Sequence, residues 1–260
     1  MRIAIVGGAG TLGKYVTGEL AARGHEVRVL SRGSAHFPVD LVTGQGLALA
    51  VDGCAVVIDT SNAAAPRRAA QVLVEGSRRL LAAEERAGVG HHVGISIVGC
   101  ERIPMGYYRV KAEQEQVIER GPVPWSMVRA TQFHELVAMA LAAAAKWHVL
   151  PIPAVRLQTI AAAEVGRVVA DVADGVPSRG RIQVAGPQVT TAAELARTWL
   201  AATGRRAMSV PVPVPGKLGR ALRADALTAA DADVLGTQTF GEWLDATRGP
   251  ATRPASGGPG

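Results

Sequence analysis

Short apolar runs and segments of helical period alternate along the first half of the chain. The runs at residues 3–6, 27–30, 55–59, 92–98 and 125–129 are mostly continuous and rich in β-branched side chains. Such runs read as strands covered on both faces, because a half-exposed strand would alternate apolar with polar positions. Between most of them, residues 11–23, 66–87 and 107–120 read as helices. Strands alternating with helices predict an α/β fold, a doubly wound parallel sheet with right-handed crossovers. A short third strand is expected to end at Asp40-Leu41, within the glycine-rich segment 33–46.

Beyond Arg129 the rhythm changes. A helical pattern over 133–146 precedes Pro151-Ile152-Pro153 and an expected strand at 155–158. Residues 163–173 read as an amphipathic helix, 181–184 as a strand, and 190–203 as a helix. Thr190 or Thr191 would cap the last of these, with Glu194 in its first turn. Pro211-Val212-Pro213-Val214-Pro215 reads as a stiff connector, followed by a short helix and a terminal turn at 240–244.

The junction of the first strand and helix carries the sharpest chemical signal. Gly7-Gly8-Ala9-Gly10-Thr11-Leu12-Gly13 fits Gly-x-Gly-x-x-Gly from Gly8, and Gly-x-x-Gly-x-x-Gly from Gly7. Glycines let the backbone turn sharply and approach a pyrophosphate more closely than a Cβ would permit. The first amides of the helix, from Thr11 and Leu12 onward, then point at the phosphates. With a strand before it and a βαβ length after it, this is the opening unit of a Rossmann fold. Chains that bind NAD place Asp or Glu roughly 20 residues later to hold the ribose hydroxyls. Here the second strand ends in Ser31-Arg32, with no acid. A hydroxyl and a guanidinium receive a 2′-phosphate that a carboxylate would repel. The expected cofactor is therefore NADP(H).

Ligands of such sheets bind beyond the strands' carboxyl ends, which directs attention also to Thr60-Ser61-Asn62, Ser96 and the segment 130–134. The organisation expected is a single NAD(P)-binding domain over 1–247, with a tail at 248–260 that is disordered for want of an apolar anchor. Within the domain, a Rossmann core spans about 1–130 and 164–186, and a small C-terminal substrate-side subdomain about 131–163 and 187–247.

Charge adds little. The net charge is +6, but the 28 Lys and Arg are scattered singly or in pairs and aromatics make up only 4%. No basic run is interleaved with aromatics, so nucleic acid is not an expected partner. Cys54 and Cys100 lie in no Cys-x-x-Cys or Cys/His pattern, and His91-His92 lacks a third ligand at a plausible spacing, so no metal is expected. A strand starting at residue 2 leaves no room for a signal peptide, and the longest apolar stretch, 136–145, is too short to span a bilayer. The expectation is a cytoplasmic protein with a small-molecule substrate and no membrane partner. No feature of the sequence sets an oligomeric state.

Residues 107–111 read Tyr107-Tyr108-Arg109-Val110-Lys111, which makes Tyr107 and Lys111 neighbours on one helical face. Free tyrosine titrates near ~10, and an ammonium held beside it favours phenolate. Such a phenol exchanges a proton with a substrate oxygen while hydride moves at the adjacent carbon. Lys111 could also grip the nicotinamide ribose, and Ser96 could orient the same substrate oxygen.

Together these residues resemble the atypical short-chain dehydrogenase/reductase superfamily, in its NmrA-like, NAD(P)H-binding branch. The resemblance covers roughly residues 1–247 and rests on the glycine turn, Ser96-Ile97-Val98-Gly99, the Tyr107 to Glu113 segment, Arg129-Ala130-Thr131-Gln132-Phe133-His134-Glu135 and Phe240-Gly241-Glu242-Trp243-Leu244. It implies Tyr107 as acid/base, Lys111 as its partner and Ser96 as third member. It also implies Asp40 at an adenine-contacting position, and the loop from Thr60 through Ser61 and Asn62 as the cofactor's shield. Two departures stand out: the Ser96 to Tyr107 gap is shorter than in classical members, and Ala130 occupies a position where relatives commonly have Pro.

The implied function is an NADP(H)-dependent oxidoreductase acting on a small-to-medium carbonyl, enone or quinone. Some NmrA-like relatives are instead non-catalytic NADP(H) sensors, usually without the Tyr/Lys pair that this chain keeps, and a non-redox isomerase or cyclase could use the same scaffold. Gln132, His134 and Tyr108 are expected on the substrate side, with His134 alternatively a helix-start residue and Tyr108 alternatively packed on a neighbour. Met105, Met139 and Trp147 would form an apolar lid or belong to the core. The pairs Arg67-Arg68 and Arg78-Arg79 read most simply as solvated.

Overall fold

The apolar run at the start of the chain forms strand β1 (Arg2–Val6), joined by the glycine turn to helix α1 (Gly13–Ala22) and strand β2 (Glu26–Leu30). A short helix α2 (Leu47–Val51) and strand β3 (Val56–Asp59) follow. Next comes a long helical run: α3 (Pro66–Ala69), a π-helical stretch over Ala70–Glu75, and α4 (Gly76–Ala87). Strand β4 (His91–Ile97), helix α5 (Gly106–Glu119), strand β5 (Trp125–Ala130) and helix α6 (His134–Ala145) continue the alternation. The remainder comprises β6 (Val149–Pro153), β7 (Arg156–Leu157), α7 (Ala162–Asp174), β8 (Arg181–Ala185) and β9 (Thr190–Thr191). Helix α8 (Ala192–Thr203), β10 (Met208–Val212), α9 (Gly216–Arg223), β11 (Val234–Leu235) and α10 (Phe240–Arg248) complete it. This computed structural model describes residues 1–63 and 66–248, with the backbone alone at 66 and 67.

Seven strands form one parallel sheet in the order β11-β8-β5-β4-β3-β1-β2. Strand alternation explains why it is covered twice. Ile3 and Ile5 of β1 pack with Val16 and Leu20 of α1 and with Val165 and Val169 of α7. Ala4 and Val6 face the other way, into a layer with Leu80 and Leu81 of α4 and Ile118 of α5. Each fully buried Ile or Leu contributes roughly 1.5–3 kcal/mol, so a strand without a polar face is held in the middle of the sheet. The chain runs outward from β1 to β2, then returns past β1 to β3 and proceeds in the opposite direction. The crevice at that reversal, beyond the carboxyl ends of β1 and β3, is where such sheets take ligands. Among the described residues, no helix is long and apolar enough to cross a membrane.

Four expectations are corrected. The third strand is reduced to a single parallel bridge, Ser31 to Pro38, because Asp40 turns the chain instead: its amide donates to Gln45 O at 3.1 Å and its Oδ1 accepts from Val42 N at 2.8 Å. The proline-rich connector begins as strand β10, whose pairing with β6 puts Pro211 beside Ile152; in a two-stranded ribbon an edge proline can lack the missing donor without breaking the ladder. Of the strand expected at 155–158, only Arg156–Leu157 pairs, antiparallel to β9. Helix α10 includes Arg248, the first residue assigned to the tail; the rest of that tail, 249–260, lies outside the described residues.

The glycine turn tolerates little addition. A Cβ on Gly13 would lie 2.6 Å from Gly8 Cα, and that contact is backbone, which cannot swing aside. Gly13→Ala is expected to destabilise by about 1–3 kcal/mol through overpacking. Thermal unfolding would show it as a lower midpoint, whereas Gly18→Ala, at a helix position with nothing within 4 Å, would not lower it.

Candidate active site

Each segment at the mouth of the crevice is held from beneath. Gly7 adopts φ of 73°, a left-handed conformation that favours glycine, and its amide donates to Leu30 O at 2.9 Å. A side chain there would come within 3.0 Å of Thr60 O, so the backbone stays bare. Thr60 is fixed in turn by donating through Oγ1 to Val6 O at 2.7 Å. Among the described residues, no acceptor takes the amides of Thr11, Leu12 or Gly13. These N–H groups at the head of α1, with the helix dipole behind them, are of the kind that can receive an anion.

Two adjoining depressions share Gly7, Ser31, Ser61 and Asn62 and make one continuous trough. The outer part, about 470 Å³, is bordered by Ser31, Arg32, Asp40, Arg68 and Gln71. The inner part, about 750 Å³, is bordered by Gly7, Gly10, Thr11, Leu12, Thr60, Ser96, Tyr107, Tyr108, Lys111 and Gln132. The structure thus gathers nearly all the residues singled out by sequence around one channel. Gly8 and Gly13 stand apart: they do not border it, and serve by letting turn and helix pack closely.

Tyr107 and Lys111 share a face of α5 but do not hydrogen-bond to each other. Lys111, only 5% exposed, donates to Ile95 O at 2.7 Å and to Gln114 Oε1 at 2.6 Å. The Tyr107 hydroxyl donates to Asn62 Oδ1 at 2.7 Å, across the trough. Burial, and then the neighbouring Tyr108, push the Tyr107 phenol up to about 12. The expectation that Lys111 depresses this phenol is corrected: two of its three donors are committed to neutral oxygens, and desolvation governs the phenol instead. Burial also lowers the Lys111 pKa. Ser96 borders the trough, with its Oγ 3.9 Å from Cys100 Sγ. Tyr108 takes both roles considered for it. It meets Tyr107 edge-on at 6.0 Å, packs against the cluster containing Ile103 and Leu227, and still borders the inner trough.

Gln132 borders the inner trough with both side-chain amide atoms buried and unpartnered among the described residues. An unsatisfied buried amide is costly unless a ligand meets it. His134 behaves otherwise. It is fully buried, paired through Nδ1 with Thr159 Oγ1 at 2.9 Å and through Nε2 with Gln238 O at 3.0 Å. A carbonyl accepts only, so Nε2 carries the proton of a neutral ring, and burial lowers its pKa. It also packs against Phe240 and Trp243. His134 therefore anchors α10 and is not a trough residue, which corrects the substrate-side assignment.

Other features escaped the sequence. Arg68, read as a solvated helix residue, borders the outer trough together with Arg32. Phe133, Leu136, Val137 and Ala140 supply an apolar wall to the inner trough; the uncharged stretch 136–145 was its only trace. Met105, Met139 and Trp147 do not belong to the core, being 43%, 62% and 82% exposed, and none of them borders the trough.

Comparison with known proteins agrees with this architecture. The model of the NmrA-like family matches residues 1–229. An NADPH-dependent quinone oxidoreductase from Escherichia coli, solved with NADPH, superposes with a TM-score of 0.79 at 16% identity, covering 95% of this chain and 99% of that one. A nucleoside-diphosphate-sugar epimerase from Staphylococcus aureus gives 0.76 at 17% identity, covering 94% and 99%. A UDP-glucose 4-epimerase from Thermus thermophilus, in complex with NAD, gives 0.72 at 19%, covering 96% and 99%. At these identities the likeness concerns the fold. A search of curated proteins by sequence finds no match.

Proposed function

Because the chain belongs to the NmrA-like family, we propose that it is an NADP(H)-dependent oxidoreductase acting on a small-to-medium, largely apolar carbonyl, enone or quinone. The observation that carries this reading is the continuous trough, with two guanidiniums at its outer end and a phenol at its inner end. The residues fit the cofactor: bare amides at the head of α1 for the pyrophosphate, and Arg32 and Arg68 for a 2′-phosphate. When bound, the nicotinamide would supply or accept hydride. Tyr107 would manage the proton on the substrate oxygen, Ser96 would orient that oxygen, and Gln132 would satisfy a second polar group.

The inner trough also argues about substrate class. Apart from Lys111, no charged side chain borders it among the described residues. Sugar nucleotides, the namesake substrates of the epimerase neighbours, carry a diphosphate that calls for cations. A neutral substrate with an apolar body suits Phe133, Leu136 and Val137 better, in keeping with the quinone named for the Escherichia coli neighbour. A cytoplasmic location belongs to the same proposal.

One observation favours a second reading. With Lys111 held by Ile95 and Gln114, the Tyr/Lys pair is not assembled for proton transfer, as would suit a sensor in which it merely touches the ribose. Following NADPH absorbance with a panel of quinones, enones and ketones separates the two. Substrate-dependent oxidation is the expected result; NADPH binding without oxidation across the panel would establish the sensor.

A further inference from the structure

We infer that Asp59 is a positioning residue that holds Lys111 through Gln114 while pinning the loop that carries Asn62. This rests on the cofactor reading above. Asp59 ends β3 and is 1% exposed. Its Oδ2 accepts from Gln114 Nε2 at 3.1 Å and from Ser77 Oγ at 3.3 Å. Gln114 Oε1 accepts from Lys111 Nζ at 2.6 Å. Only one orientation of the Gln114 amide satisfies both neighbours, because an ammonium only donates and a carboxylate only accepts. A buried cation and a buried anion are thus joined by a neutral amide that is correctly polarised at each end, and burying either charge alone is costly.

The other carboxylate oxygen holds the backbone just beyond β3. Asp59 Oδ1 accepts from Ser61 N at 2.9 Å, and the next residue, Asn62, accepts the Tyr107 hydroxyl. A closed circuit results: Tyr107, Asn62, Ser61, Asp59, Gln114, Lys111, and back along one turn of α5. Neither Asp59 nor Gln114 borders the trough, so both act through the residues they hold. Glu115, the other buried acid near Lys111, cannot substitute, since Arg129 donates to both its oxygens at 2.9 and 2.6 Å.

The test uses the full chain and two ligands, NADPH and 2′,5′-ADP, the second carrying the phosphate end of the cofactor without its nicotinamide half. Calorimetric titration compares wild type with Gln114→Met, Asp59→Asn, Lys111→Met and the Gln114→Met/Lys111→Met double variant. Gln114→Met is expected to weaken NADPH about tenfold and leave 2′,5′-ADP within about twofold, with no added loss in the Lys111→Met background. Asp59→Asn, which turns an acceptor into a donor facing Gln114, is expected to behave alike; should it fail to fold, the near-isosteric Gln114→Met still decides. Equal weakening of both ligands, an undiminished Gln114→Met effect without Lys111, or unchanged NADPH binding would each overturn the inference. Wild type that fails to bind NADPH would overturn the cofactor reading itself, an outcome distinct from any loss confined to the variants.

Discussion

Tyr107→Phe is expected to lower kcat for carbonyl reduction by about 10²–10⁴, the usual worth of a positioned general acid, while NADPH affinity changes by less than about twofold. The phenol's environment fixes the direction of its role. Raised to about 12 by burial and by Tyr108, it is phenolate in only about one molecule in 10⁵ at pH 7. It is therefore poised as an acid, and reduction should run at a rate independent of pH through neutrality. In the oxidative direction the same group must act as a base, and rates should climb with pH, approaching about tenfold per unit well below the phenol's pKa. Steady-state rates in both directions check this. A Phe variant with wild-type turnover would remove Tyr107 from the chemistry; loss of product without any NADPH consumption by wild type would favour a non-redox isomerase.

The second large effect concerns coenzyme choice. Arg32 and Arg68 border the outer trough from different elements, the end of β2 and helix α3. A hydrogen bond to a charged group contributes roughly 1.5–3 kcal/mol, equivalent to about 10- to 100-fold in affinity. Both side chains are exposed, and screening by salt holds each to the lower end of that range. Arg32→Ala/Arg68→Ala together are expected to weaken NADPH by about 100-fold and leave NADH within about threefold, erasing the preference. Fluorescence titration of both coenzymes against the single and double variants measures it. A single variant with unchanged NADPH affinity would exclude that arginine from the phosphate site.

The contrast between those two arginines shows where sequence reasoning reaches. Arg32 was legible because it follows its strand at a set distance from the glycines. Arg68 was not: it borders the same outer trough as Arg32 from a different element, α3, and no local pattern encodes that. His134 errs in the reverse direction. It follows β5 immediately, where trough residues are expected, yet its ring is turned to Thr159 and Gln238, partners 25 and 104 residues away that no spacing announces. The Tyr/Lys pair shows both sides at once. Helical period placed the two residues on one face, but burial and the competing acceptors Asn62, Ile95 and Gln114 decided what each holds.

By itself, the sequence determined the doubly wound sheet and the glycine turn, because apolar runs without a polar face must be covered twice and bare backbone at a strand's end requires glycine. It also located the phenol and the lysine, since their proximity follows from helix geometry alone. Tertiary structure alone decided which polar groups turn into the trough and which are bound elsewhere. Hydrogen-bond pairing and desolvation act between side chains far apart in the chain, and their outcome exists only once the layers have packed.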